Sequence, residues 1–224
     1  MPTRAELTRT IDHTLLKPEA TAAQVEQLCA ECREYGFAAA CVNPRWVALC
    51  AERLAGSDTA VATVAGFPLG ASDPGAKADE ARRAVMQGAR EVDMVVSLGD
   101  LLVGDRRAVV RDIAGVVDAA KGADDRAIVK VILETRALTD EQIVLGCRCV
   151  AEGQADYVKT STGFHPAGGA TVAHVTLLRR HAAPLKENAA GGLRALPAAL
   201  AMLAAGADRL GMSASVAVLQ ALPV

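Results

Sequence analysis

The chain has 224 residues, which fits one large domain or two small ones. With 51% hydrophobic and 22% charged residues it can bury a sizeable core, and a disordered chain is excluded. A formal net charge of −2 and only 3% aromatic residues argue against nucleic acid, an anionic membrane surface or base stacking, so any anion site must be local.

Residues 1–10 are polar and charged, with no apolar stretch of signal-peptide type, and a short N-terminal helix is expected there. No apolar run approaches the ~20 residues that a membrane span needs. The first strand is expected at 11–16, I-D-H-T-L-L, followed by an amphipathic helix capped by Thr21 and closed by Gly36. A second strand at 38–43 leads through Pro44 into a helix that stops at Gly56. The third strand, 59–65, ends in G-F-P-L-G-A, and a helix over 75–86 closes at Gly88. Strands at 91–96 and 127–133 flank a long helix at 105–120. Thr139 caps a helix to 151, and the sixth strand follows at 156–160. Further helices at 170–181, 196–205 and 213–222 alternate with strands at 184–188 and 208–212.

Eight strands, each followed by a helix and with no linker between, imply a parallel sheet, and the chain length is that of a (β/α)8 TIM barrel. We therefore expect an α/β fold, one barrel domain spanning 1–224. An open doubly wound sheet is the alternative; the turn Leu15-Leu16-Lys17-Pro18 carries none of its glycine fingerprint.

Of the six cysteines, Cys29 and Cys32 form a C-x-x-C, but both lie inside a helical pattern. No second pair at zinc-site spacing follows, so core thiols in a reducing cytoplasm are the reading to prefer, and no metal is expected. A cytoplasmic protein follows from the same observations.

The stretch 155–164, A-D-Y-V-K-T-S-T-G-F, places Lys159 midway along a short apolar strand. A buried ammonium must be paired, neutral or functional, and a structural ion pair is the plain alternative. Side chains alternate along a strand, so parity sorts the inward residues. Asp93, Lys130, Glu134, Lys159 and Lys186 share the inner face with Asn188, and Asp12 is a further candidate. Barrel interiors are usually filled by bulky branched residues, so this set is unusual packing. Crowded ammoniums lower one another's pKa, and a neutral lysine attacks carbonyls to form a Schiff base. A neighbouring carboxylate shuttles the protons. Two turns suggest an anion site: Gly191-Gly192-Leu193-Arg194 and Gly211-Met212-Ser213-Ala214-Ser215, where a helix begins. Barrel phosphate sites are frequent after strands seven and eight. Two ordinary glycine turns are the alternative.

These motifs resemble the deoxyribose-phosphate aldolase family nearly end to end. They are I-D-H-T-L-L-K-P at 11–18, C-V-N-P at 41–44, V-A-G-F-P-L-G-A at 64–71, E-V-D-M-V at 91–95, K-V-I-L-E-T at 130–135, V-K-T-S-T-G-F at 158–164, G-G-L-R at 191–194 and A-G-A-D-R-L-G at 205–211. The resemblance implies a class I aldolase that reversibly cleaves 2-deoxy-D-ribose 5-phosphate to D-glyceraldehyde 3-phosphate and acetaldehyde. It makes Lys159 the Schiff-base lysine and Asp93 the relay carboxylate, with Lys130 a nearby cation. Gly163, Gly191, Gly192, Arg194, Gly211 and Ser213 would hold the phosphate. No metal or other cofactor is required, since the iminium is the electron sink. The partners implied are small phosphorylated sugars and aldehydes. Barrels of this kind often pair through apolar helix faces, which makes a homodimer the default assembly.

One departure matters. The family usually reads V-K-A-S-G-G after strand seven, and its lysine serves the proton relay; here Asn188 stands at that position and Glu187 at the apolar one. Lys186 lies two residues upstream with the same parity, ~6.6 Å deeper, and would have to reach up or be lifted by a bulge. Ala214 replaces a frequent serine, and Arg136 a smaller residue. A weakened or repurposed Schiff-base aldolase for other aldehydes is thus a second reading. A non-catalytic sugar-phosphate binder on the same barrel is a third.

Overall fold

The computed structural model describes residues 2–223; Met1 and Val224, the ends of the expected domain, lie outside the described residues. The expected N-terminal helix is α1 (Arg4–Thr8), closed by a capping box between Thr3 and Glu6. It is followed by β1 (Ile11–Leu15), α2 (Ala22–Tyr35), β2 (Ala39–Val42), α3 (Val47–Arg53), β3 (Ala60–Ala65), α4 (Pro74–Met86) and β4 (Glu91–Val95). Next come α5 (Leu98–Leu102), α6 (Arg106–Ala123), β5 (Ile128–Ile132), α7 (Asp140–Glu152), β6 (Tyr157–Lys159) and α8 (Val172–His181). The chain closes with β7 (Lys186–Ala190), α9 (Leu196–Ala205), β8 (Arg209–Met212) and α10 (Ser215–Gln220). Each strand pairs in parallel with the next, and β8 pairs back onto β1, so the sheet is a closed (β/α)8 barrel.

Local chemistry explains the helix boundaries. Thr21 with Gln24 and Thr139 with Gln142 form capping boxes that satisfy the free N–H groups at the starts of α2 and α7. Gly36 ends α2 in the left-handed conformation, φ 70°, that a side chain would disfavour. No helix among the described residues is long and apolar enough to cross a membrane.

Parity along the strands decides the layers. Val92, Met94, Val129, Val131, Leu133 and Val158 point outward and are buried against the surrounding helices. The interior divides in two. On the β2–β3 side it holds only small apolar groups, Ala39, Cys41, Ala62 and Val64. On the side of β4 to β8 and β1 it holds charges. Cys29 and Cys32 are buried on α2, and burial raises the Cys32 thiol well above its usual range.

Two elements differ from expectation. The helix α5 was not signalled, because five residues are too few for a helical period to show. The seventh strand is shifted two residues toward the C-terminus. Pro184 has no N–H for the ladder, and Leu185 turns back to donate to the Ala182 carbonyl at 2.8 Å. The strand therefore starts at Lys186 and runs through Ala189 and Ala190, residues of weak strand propensity.

Candidate active site

The register brings the candidate residues into one layer. Asp93 pairs with Lys130 across β4 and β5, Ile132 with Lys159 across β5 and β6, and Lys159 with Asn188 across β6 and β7. All point to the axis, as parity requires. The Lys159 ammonium donates to Asp93 Oδ2 in a close ion pair. Lys159 also lines a cavity of about 240 Å³ at the C-terminal mouth of the barrel, with Ser161, Gly163, Gly191, Gly192, Arg194, Gly211 and Ser213. Thus the residues expected for the Schiff base and the phosphate meet in one pocket. Lys17 and Phe67 join them there.

Backbone conformation shapes the pocket floor. Gly191 and Gly192 have φ of 90° and 79°, a region that side chains rarely adopt, so glycine is required for the turn to present its amides. Gly211 is close to the lysine: a Cβ there would meet Ala190 Cβ at 3.0 Å and Lys159 Nζ at 3.6 Å. Any side chain beyond Cβ would crowd the ammonium. Helix α10 has only six residues, so the phosphate reading rests on the glycine turns with Arg194 and Lys17, not on a helix dipole. Ala214, where the resemblance leads one to look for serine, is the residue just before α10. Arg136 is outside the pocket lining; its Nε donates to the Ala167 carbonyl at 2.9 Å.

Beneath Lys159 lies a buried ionic layer. Lys130 contacts Asp12 Oδ2 at 2.9 Å, Glu91 Oε2 at 2.6 Å and Asp93 Oδ1 at 3.3 Å. Arg209 pairs with Asp12 and with Glu91, the latter at 3.2 Å. Burial alone would push the Lys130 ammonium down, but the carboxylates of Asp12, Asp93 and Glu91 outweigh it and hold the pKa well above the usual lysine value. Burial likewise would raise Asp12, yet Lys130 and Arg209 keep it well below the usual carboxylate range. Glu91 and Arg209 were not singled out from the sequence. Glu91 shares Asp93's parity, and that signal sufficed to find it.

Three expectations need correction. Lys130 is a cation near Lys159, as the resemblance implies, but as a substrate-binding residue it does not reach the pocket: it is fully enclosed and engaged by three carboxylates. Lys186 is not brought to Lys159. It opens β7 at the opposite, N-terminal mouth, is exposed, and lays its ammonium 5.7 Å from the centre of the Tyr157 ring. Glu134 is buried but is engaged by Thr162: it adopts φ 58° and accepts from the Thr162 hydroxyl at 2.5 Å and from the Thr162 N–H at 3.3 Å, bracing the turn after β6. At the layer where Lys186 was to act stands Asn188. Its Nδ2 donates to Asp12 Oδ2 at 2.7 Å, and its Oδ1 has no partner among the described residues.

Residues 7–221 match the family model for the DeoC/LacD family aldolases. The chain belongs to this family. The deoxyribose-phosphate aldolase 1 of Bacillus licheniformis is 50% identical over 97% of this chain and 96% of its own. The deoxyribose-phosphate aldolase of Enterococcus faecalis is 52% identical over 95% and 96%. Among solved structures, a deoxyribose phosphate aldolase from Aeropyrum pernix, described as tetrameric, superposes with a TM-score of 0.90 at 34% identity, covering 97% of this chain and 91% of its own. In this aldolase family setting, the pairing of an interior lysine with a carboxylate beneath an open pocket is an arrangement suited to amine–carbonyl chemistry.

Proposed function

We propose that this aldolase reversibly cleaves 2-deoxy-D-ribose 5-phosphate through a Schiff base on Lys159. The observation that carries the reading is the placement of Lys159: its ammonium contacts Asp93 inside the barrel and opens onto the glycine-walled pocket. Asp93 takes a proton from the ammonium, and the free amine attacks the C1 aldehyde of the open-chain sugar to give a carbinolamine. Protonation of its hydroxyl releases water and leaves an iminium. Loss of the C3 hydroxyl proton to a base then breaks the C2–C3 bond; its electron pair flows into the iminium as an enamine, and glyceraldehyde 3-phosphate leaves. The enamine takes up a proton at C2, and water hydrolyses the iminium to acetaldehyde and free lysine. The 5-phosphate is received by Arg194, Lys17 and the backbone amides of Gly163, Gly191, Gly192, Gly211 and Ser213.

A second reading, a weakened or repurposed Schiff-base aldolase for other aldehydes, is favoured by one observation: a neutral amide, Asn188, stands in register with Lys159. Turnover of 2-deoxyribose 5-phosphate, read by release of acetaldehyde, separates the two. The first reading requires cleavage that saturates with substrate. Absence of cleavage, with other aldehyde pairs accepted, selects the second.

We place this aldolase in the cytoplasm, in deoxyribonucleotide and carbohydrate breakdown, acting as one domain over 1–224; the homologue names support the aldolase activity itself. No metal or nucleic-acid partner enters this scheme. A homodimer remains the proposed assembly, and the tetrameric relative is the alternative that sedimentation would reveal.

A further inference from the structure

On the outer face of β1, back to back with Asp12, His13 sits in the seam between α2 and α10. Its ring is almost fully buried, and it pairs in register with Met212 at the end of β8. Nδ1 lies 2.9 Å from Ser215 Oγ, and Nε2 lies 2.7 Å from Glu31 Oε2. The Ser215 hydroxyl donates to the Met212 carbonyl at 3.1 Å, which spends its one proton. The same oxygen thus links the His13 ring to the end of β8. Burial would raise the Glu31 carboxyl, but hydrogen bonds from Gln27 and His13 outweigh it and keep it below its usual value, an ionised acceptor for the other ring nitrogen. Glu31 thereby fixes the ring's rotation, and the ring fixes Ser215.

Ser215 is fully buried and opens α10, directly after the short Ser213–Ala214 link that leaves the end of β8 at Met212. Ser213, two residues earlier, lines the substrate pocket on one side and the groove beside His13 and Glu31 on the other. We propose that His13 is a positioning residue for phosphate binding: braced by Glu31, it anchors Ser215 and so holds the segment 211–215, from the end of β8 to the start of α10, in the shape that receives the phosphate. This rests on the reading of that segment as the phosphate site given above. The simpler role is that His13 only fills the seam, where its ring lies 5.1 Å from that of Phe37.

Calorimetric titration with inorganic phosphate distinguishes these roles, using wild type, His13→Phe, His13→Asn and Glu31→Ala. The Asn amide, which carries both a donor and an acceptor, can place a polar group where Nδ1 meets Ser215. We expect phosphate affinity to fall about tenfold in His13→Phe, the loss of one buried hydrogen bond, to stay within about threefold in His13→Asn, and to lie between in Glu31→Ala. With 2-deoxyribose 5-phosphate, KM should rise in His13→Phe while kcat stays within about twofold. Unchanged phosphate affinity in a folded His13→Phe overturns the inference, as do equal losses in His13→Phe and His13→Asn or a wild type that takes no phosphate. Should His13→Phe not fold, Glu31→Ala decides by the same criterion. A wild type that binds phosphate through His13 but cleaves no 2-deoxyribose 5-phosphate upholds this inference and removes the proposed substrate.

Discussion

In the proposed reaction, Asn188 is the residue on which the proton traffic turns. It donates to Asp12, leaves its own oxygen without a partner, and stands beside Lys159 in the same layer of the barrel. Three carboxylates, Asp12, Glu91 and Asp93, face three cations, Lys130, Arg209 and Lys159, in this interior. Asn188→Lys places a second cationic group in register with Lys159, and we expect kcat/KM for 2-deoxyribose 5-phosphate to rise about tenfold. An unchanged or lower value would sink this account of Asn188. Asp93→Asn keeps the shape and removes the proton acceptor. It should lower kcat by about 10²-fold to 10⁴-fold, measured by acetaldehyde release, and wild-type kcat would rule out Asp93 as the relay. Side-chain parity made Asp93, Lys130 and Lys159 legible in the sequence. It could not show that Lys130 is enclosed or that Arg209 reaches Asp12, because that contact joins residues 197 positions apart.

Strand β7 shows how the start of a short element decides which mouth of the barrel a side chain reaches. The β-propensity of its sequence is weak, and its start was read two residues early; the true start at Lys186 sends that side chain to the opposite mouth. The same strand carries Glu187 on its outer face, where apolar residues are the rule. Burial pushes its carboxyl up from 4.5 to about 7, only partly opposed by Arg179 at 3.4 Å. The folded state thus holds this proton more tightly than the unfolded chain does. Stability from this group is complete below about pH 4.5 and is lost as pH rises through about 7. Glu187→Leu should raise stability at pH 8 by about 1–2 kcal/mol, roughly 3–6 °C in Tm, and flatten the loss between those pH values. A lower Tm at pH 8, or an unaltered pH dependence, contradicts this. The glycine turns after β6 and β7 form a second coupled element. A Cβ at Gly169 would lie 2.1 Å from the Gly191 carbonyl oxygen, so Gly169→Ala must displace the turn that carries Gly191 and Gly192. KM for 2-deoxyribose 5-phosphate should rise about tenfold or more, and an unchanged KM would show that this turn does not receive the phosphate.

At the scale of the whole molecule, the barrel was readable from eight alternating units, from good helix caps and from the period of the apolar residues. Closure itself, β8 onto β1, brings Arg209 to Asp12 and Glu91, and it completes an ionic layer that no local pattern announces. That layer is the base on which Lys159 stands. Lys130→Met would leave three buried carboxylates short of a cation, and urea unfolding should show a loss of about 3–5 kcal/mol; wild-type stability would show that the layer does not hold the barrel together. The central claim is that the barrel brings these parts together so that Lys159 forms a covalent bond with an aldehyde. Reduction with borohydride in the presence of acetaldehyde, followed by peptide mass mapping, tests it most directly. The account predicts a single ethyl adduct, on Lys159. An unlabelled protein, or a label confined to any other lysine, contradicts it.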